Sequence, residues 1–246
     1  MLSQVIQGIY ISSLLSSLGG LVHGYSTRVM GDMRESDSRQ EFLHKLTDVP
    51  AFLIWLRQTH DAKVRIIDAR DRKNIIEGTD AAVMRSVGDQ NPKVFLGVHV
   101  ADCVPLLMVD PEARVVGAAH AGWRGTLKAI AAKTIEKMKF LGANPANIRV
   151  SIGPHIGRCC YSVEKDRAGQ FNRVFGENPC LVSLNRGAWY LDLGYANFLQ
   201  LVASGVTPER IDGHPTCTSC QNKEFFSYRR NRLDGYGEIL GVVGFS

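Results

Sequence analysis

The 246-residue chain has no apolar run that approaches membrane-spanning length. Its N-terminus, MLSQVIQGIYISSLLSSLGG, has no basic leading region and is interrupted by Gln, Ser and Gly, which argues against a secretory signal. The expected location is therefore the cytoplasm, with no membrane partner. Nor is there a block of Lys and Arg, or any interleaving of basic with aromatic residues. A net charge of +5 is too mild to indicate nucleic acid, although it is compatible with small anionic ligands. Internal repeats and low-complexity linkers are absent, so residues 1–246 read as one domain with room for a sizeable core. In a reducing compartment the six cysteines carry no expectation of disulfides. The one Cys-x-x-Cys, Cys217 to Cys220, lacks the second pair of a structural zinc site, so packed thiols are expected there.

What is present concentrates in residues 98–126, VHVADCVPLLMVDPEARVVGAAHAGWRGT. Two apolar runs, 104–109 and 114–120, flank Asp110-Pro111-Glu112-Ala113, a composition suited to a tight turn between antiparallel strands. A four-residue loop would pair Val109 with Arg114. Cys103 then falls opposite His120 on one face, with Cβ atoms about 5 Å apart. That spacing suits two ligands of one metal ion, and equally a thiol with its base. The bland alternative is a core hairpin carrying a neutral buried His and a small apolar Cys. Both faces of the two strands are apolar, so the sheet should be covered on both sides. The following Ala121-Gly122-Trp123-Arg124-Gly125-Thr126 leads into helical spacing of Leu127, Ile130, Ala131, Thr134 and Met138, with Thr126 as the expected N-cap. A Gly-rich turn, an Arg and a helix N-terminus together favour an anion.

Elsewhere, strands are expected over 5–10, 21–26, 52–58, 64–67, 79–84, 94–100, 147–153, 189–193, 225–230 and 238–245, and helices over 38–46, 163–175 and 195–203. The charged segment 29–38 reads as a flexible flap. His60 lies at a strand end, where catalytic groups collect but where surface histidines also fall. Asp102 either orients a neighbouring His or ends its strand. Strands outnumber helices, and hairpins mix with crossovers. The expected class is α/β in the mixed α+β sense: packed mixed β-sheets with outer helices.

HGYSTR (23–28), QTH (58–60), ADCVPLLMVDP (101–111), HAGWRGT (120–126), IGPHIGRCCYSV (152–163) and FFSYRR (225–230) occur in this order. In these motifs the chain resembles the bacterial laccase-domain, or polyphenol-oxidase-like, family, whose members are described as purine nucleoside phosphorylases. The resemblance spans nearly the whole chain, and ADC followed by HAGWRG is its most specific part. It implies a fold once grouped with cysteine hydrolases and one metal, zinc or copper, held by His60, Cys103 and His120. The implied reactions are phosphorolysis of adenosine, inosine and methylthioadenosine to free base and ribose-1-phosphate, with adenosine deamination alongside. A purine nucleoside and phosphate are then the partners. Arg28 and Arg124 are the candidates for phosphate, followed by Arg229 and Arg39, and Asp80 and Asp102 are candidates for base or ribose contacts or for purely structural roles. There are two departures from the family pattern: Val29-Met30-Gly31-Asp32 replaces a Gly-rich loop, and Asp234-Gly235-Tyr236-Gly237 replaces a Thr-Gly-Arg, whose missing Arg bears on substrate range. Three rival functions are a metal-free cysteine hydrolase with Cys103 as nucleophile and His120 as base, a copper phenol oxidase, which needs more copper ligands than one His/Cys/His set, and a metal-binding regulatory module without turnover.

Overall fold

The computed structural model describes residues 2–6, 8–68, 73–86, 88, 92–213, 216–233 and 235–246. Parts of the irregular segment 68–78 and of the loop 212–220, together with Asp234, therefore lie outside the described residues. The strand expected over 5–10 is instead a hairpin of β1 (Leu2–Ile6) and β2 (Ile9–Ser12) that turns at Gly8, where φ is 89°. A side chain is disfavoured at that angle, and a Cβ there would lie 2.5 Å from Val29. Ser12 caps the short α1 (Ser13–Ser16), and β3 (Leu21–Ser26) runs as expected. The segment before α2 (Ser36–Leu46) is pinned rather than free. Met33 is completely buried and its N–H donates to the Glu238 carbonyl, while Asp32 accepts the N–H of Glu238.

The next elements are β4 (Ala51–Arg57), β5 (Val64–Ile67), β6 (Ile75–Glu77), β7 (Ala81–Arg85), β8 (Lys93–Val100), β9 (Val104–Asp110) and β10 (Val115–Ala121). After them come α3 (Trp123–Leu127), α4 (Ile130–Phe140), β11 (Arg149–Ile152), β12 (Ser162–Val163), α5 (Lys165–Phe175), β13 (Val182–Asn185), β14 (Ala188–Leu191) and α6 (Leu193–Ala203). The chain closes with β15 (Ile211–Asp212), α7 (Tyr228–Asn231) and β16 (Ile239–Phe245). The strand expected over 225–230 is thus overturned. Ser227 accepts the N–H of Arg230, and this cap starts a turn of helix where apolar residues alone had suggested extension.

Seven strands form one sheet in the order β1-β2-β3-β16-β8-β4-β6, six form a second in the order β15-β11-β9-β10-β7-β5, and three a small third, β12-β14-β13. Both large sheets mix parallel with antiparallel pairs. They pack face to face: Ile54, Leu96, Val98 and Val243 of the first meet Met84, Leu107, Val109, Val116 and Ala118 of the second in one apolar cluster. The other face of the second sheet, with Leu106, Met108, Val115 and Ala119, is covered by Ile130, Ala131, Ile135 and Met138 of α4 and by α6. Across the first sheet, Phe42 of α2 packs with Leu53, Phe95, Leu240 and Val242. The result is four layers, helix, sheet, sheet and helix, and it explains why β9 and β10 are apolar on both faces. Among the described residues no helix is long and apolar enough to cross a membrane.

Candidate functional site

The β9–β10 hairpin has a register two residues away from the one expected. Val115 pairs with Asp110 and Val116 with Val109, so the loop is 111–114 and His120 faces Pro105. Two causes are visible. Asp110 accepts the N–H groups of Glu112 and Ala113, making an Asx turn, and Arg114 takes a φ of 52° that closes the loop. A slip of two preserves the face, because side chains alternate with period two. Cys103 therefore remains on the side of His120 as a diagonal neighbour, beside Gly122. A Cβ on Gly122 would sit 3.1 Å from the Cys103 sulfur, 3.5 Å from the His60 ring and 3.6 Å from the His120 ring, so this glycine leaves the space in which the three side chains meet.

His60 enters from the other sheet, in the link between β4 and β5. One ligand atom of each of His60, Cys103 and His120 lies within 4.8 Å of the others, and the two imidazoles stand nearly perpendicular with centroids 4.7 Å apart. Asp80 positions both histidines. Its Oδ1 accepts the His60 N–H at 2.8 Å and pairs with His120 Nδ1 at 2.9 Å, which leaves Nε2 of His120 as the nitrogen for a ligand. Its Oδ2 takes the N–H groups of Thr59 and Asp61 and the Thr59 hydroxyl. These contacts hold His60 at a φ of 58°, a conformation that a residue without neighbouring support rarely keeps. Burial alone would keep Cys103 protonated, but the charge of His120 and hydrogen bonds from His120 and His60 outweigh it and bring the thiol down to about 6. Reciprocally, His120, which burial would push down, is raised to about 10 by Cys103 and Asp80. Two imidazoles and a thiolate on one small space are a donor set that fits zinc, and three protein donors leave a fourth position open.

Above these residues opens a cavity of about 840 Å³. Its wall includes Arg124, Arg229 and Asp102, as expected of a binding site, but not Arg28 or Arg39. Arg28 instead donates to the Phe225 carbonyl and to Asn231 and lies over the Phe226 ring, which fastens the 225–231 segment. Arg39 donates to the carbonyls of Met33 and Arg34 and lies over Trp55. Asp80 is completely buried, with both oxygens already engaged. Asp102 accepts the Thr218 hydroxyl, the Ser227 hydroxyl and the Arg229 N–H, and among the described residues no side-chain hydrogen bond joins it to a histidine. Arg124 sits within α3, which begins one turn earlier than expected with Gly122 as N-cap, so Thr126 is the penultimate residue of that helix and accepts from Asn197. Sequence reasoning missed Arg167, Tyr161 and Trp123. Arg167 and Arg124 both stack on Trp123, at 4.2 and 4.5 Å from its ring centroid, and Arg229 lies over Tyr161. Arg167 belongs to the polar face of α5, where the linear pattern shows only a solvated cation.

A family model described as multi-copper polyphenol oxidoreductase laccase matches residues 25–246. The chain belongs to this family. Its laccase-like relatives include an adenosine deaminase, RL5, from an unknown prokaryotic organism, 36% identical over 77% of this chain and 74% of that protein. Another is a purine nucleoside phosphorylase, YlmD, from Geobacillus stearothermophilus, 32% identical over 95% of this chain and 89% of that one. The crystal structure of that YlmD superposes with a TM-score of 0.86 at 30% identity, over 99% of this chain and 98% of that chain. The mixed α+β architecture of several sheets is thus common to that YlmD and to this chain.

Proposed function

We propose that the chain, acting as a single domain, is a metal-dependent purine nucleoside phosphorylase with adenosine deaminase activity. In this reading His60, Cys103 and His120 hold one zinc ion, with copper as the competing occupant. The observation that carries the reading is the joining, in one cavity, of this three-donor set with three arginines around Trp123 and Tyr161. The names borne by relatives over most of the chain supply the substrate class, purine nucleosides. Held by His60, Cys103 and His120, a metal ion would supply the Lewis acidity that deamination at C6 of adenine requires.

Phosphorolysis asks other things of the chain. A phosphate oxygen forms a bond to C1′ of the ribose, the bond from C1′ to the purine nitrogen breaks, and the base leaves with the electron pair. Arg124, Arg167 and Arg229 are the residues for phosphate: each lies over an aromatic ring of the cavity wall, and Arg229 is further held by Cys160 and Ser162. Trp123 and Tyr161 line the same wall, and their rings carry these three guanidiniums. Adenosine, inosine and methylthioadenosine are the proposed substrates.

A cysteine hydrolase remains the competing reading, because Cys103, His120 and Asp80 are also in line as nucleophile, base and orienting acid. Chelation, which a metal-free hydrolase would survive, separates the two, and product ratio tests the shared site. With adenosine fixed and phosphate raised, adenine and ribose-1-phosphate should grow at the expense of inosine, since both reactions draw on one bound complex. Deamination that ignores phosphate while phosphorolysis consumes saturating adenosine would exclude a shared site.

A further inference from the structure

Four of the remaining cysteines converge outside the cavity. Cys159 and Cys160 follow β11, while Cys217 and Cys220 lie in the loop before α7, yet all four sulfurs lie within 4.8 Å of one another. The Cys220 sulfur is 3.5 Å from that of Cys159 and 3.4 Å from that of Cys160. Four thiolates around one zinc, with bonds of ~2.3 Å, stand ~3.8 Å apart at the corners of a tetrahedron. The observed spacing is close to that. Disulfides would require pairs at ~2.05 Å, and a cluster of several irons would spread its four thiolates wider than a single ion does.

Two further features belong to a built site. Gly157 approaches so closely that a Cβ would lie 3.2 Å from Cys217 Cβ and 3.3 Å from the Cys159 sulfur. The backbone N–H groups of Cys220 and Gly157 also point at the Cys217 sulfur, an arrangement that favours the thiolate a metal takes.

We propose that Cys159, Cys160, Cys217 and Cys220 bind one zinc ion in a closed four-thiolate site, separate from His60, Cys103 and His120. Four protein donors leave no open position, so the ion is structural. It ties two loops that carry one wall of the cavity. Next to Cys217, Thr218 donates to Asp102, whose other oxygen takes the Arg229 N–H, and the Arg229 guanidinium donates to the Cys160 carbonyl and to Ser162. The ion thereby fixes Arg229 from both loops.

Cys180 is exposed and stands outside the cluster, which makes it an internal control for alkylation of the intact, zinc-loaded chain. Iodoacetamide should modify Cys180 rapidly and spare Cys159 and Cys220, although both are exposed, until a strong chelator is added. A Cys220→Ser variant should hold one zinc per chain fewer than its parent, in the wild-type and in the Cys103→Ala background alike. Alkylation of Cys159 and Cys220 as fast as Cys180, or protection released by a reductant rather than a chelator, would overturn the site. So would an unchanged zinc content in a folded Cys220→Ser chain.

Discussion

Replacing Asp80 with Asn removes a charge while keeping the shape, and the structure fixes what must follow. Five groups donate to this carboxylate: Thr59, His60 and Asp61 through their N–H groups, the Thr59 hydroxyl, and His120 Nδ1. An amide has one acceptor oxygen. If that oxygen keeps His60 and His120, the new NH₂ faces the N–H groups of Thr59 and Asp61. Two part-buried donors then lack protein acceptors; because Thr59 is exposed and water reaches it, the cost is at most about 1–3 kcal/mol each, so at most about 2–6 kcal/mol of stability is lost. If the amide flips, its NH₂ faces His120 Nδ1, which must become the acceptor. The proton then moves to Nε2, the nitrogen that a metal needs. Either way metal affinity should fall, by about 10–100-fold on the usual scale for a residue that orients a ligand, which is about 1.4–2.7 kcal/mol. The assay is a zinc competition titration run beside urea unfolding of chelated protein. An Asp80→Asn chain with wild-type zinc affinity and wild-type stability would refute the assignment of Asp80 as the residue that positions both histidines. Acid adds a check. Burial opposes the charge on Asp80, but hydrogen bonds from His120, Asp61 and Thr59 outweigh it and hold its carboxyl below the ordinary value. Its contribution to stability is therefore full above the unfolded value of about 3.9 and is lost as pH falls through the lower folded value; the Asp80→Asn variant should lack that acid-dependent loss.

Arg124→Ala and Arg167→Ala should each raise the KM for phosphate by about one to two decades, since a charge-assisted contact contributes about 1.5–3 kcal/mol. Deamination, which uses water, should change far less, and equal loss of both activities would make these arginines structural. Gly122→Ala keeps a backbone conformation open to any residue, φ −73° and ψ 171°, so the fold should stand while the methyl group presses on Cys103 and weakens metal binding. Unchanged zinc affinity in that variant would show that the three donors do not close on one ion. Cys103→Ala should abolish metal binding at the first site, and zinc retained there, measured in a chain that also carries Cys220→Ser, would remove Cys103 from the ligand set.

Much of the architecture was legible because both large sheets are buried and their strands are long. The runs at 94–100 and 104–109 contain little that a helix or loop would keep. Local chemistry was harder to read. The hairpin register turned on an Asx turn at Asp110 and on Arg114 adopting a left-handed φ, neither of which follows from apolar spacing. Ser227 converted an aromatic stretch into α7, because one capping hydrogen bond decides so short an element. Cys103 and His120 were paired correctly in face despite the shifted register, since an error of two leaves alternation intact. Asp80 could not have been assigned to His120 from sequence: the contact spans 40 positions and two strands, β7 and β10. Arg28 illustrates the opposite failure. It belongs to a distinctive motif and yet serves the chain, fastening the segment before α7. The thiol pair at 217 and 220 looked incomplete because its partners lie some 60 residues away.

Inosine provides the most direct measurement, because it lacks the amino group and can only be phosphorolysed. Zinc-loaded protein incubated with inosine and phosphate should release hypoxanthine and ribose-1-phosphate in equal amounts. Chelation should stop the release in a Cys220→Ser chain, which holds metal only at the first site, and zinc added back should restore it. Release that persists after chelation and disappears on thiol alkylation would contradict the account in favour of a cysteine nucleophile, and no phosphate-dependent release from the zinc-loaded chain would contradict it outright.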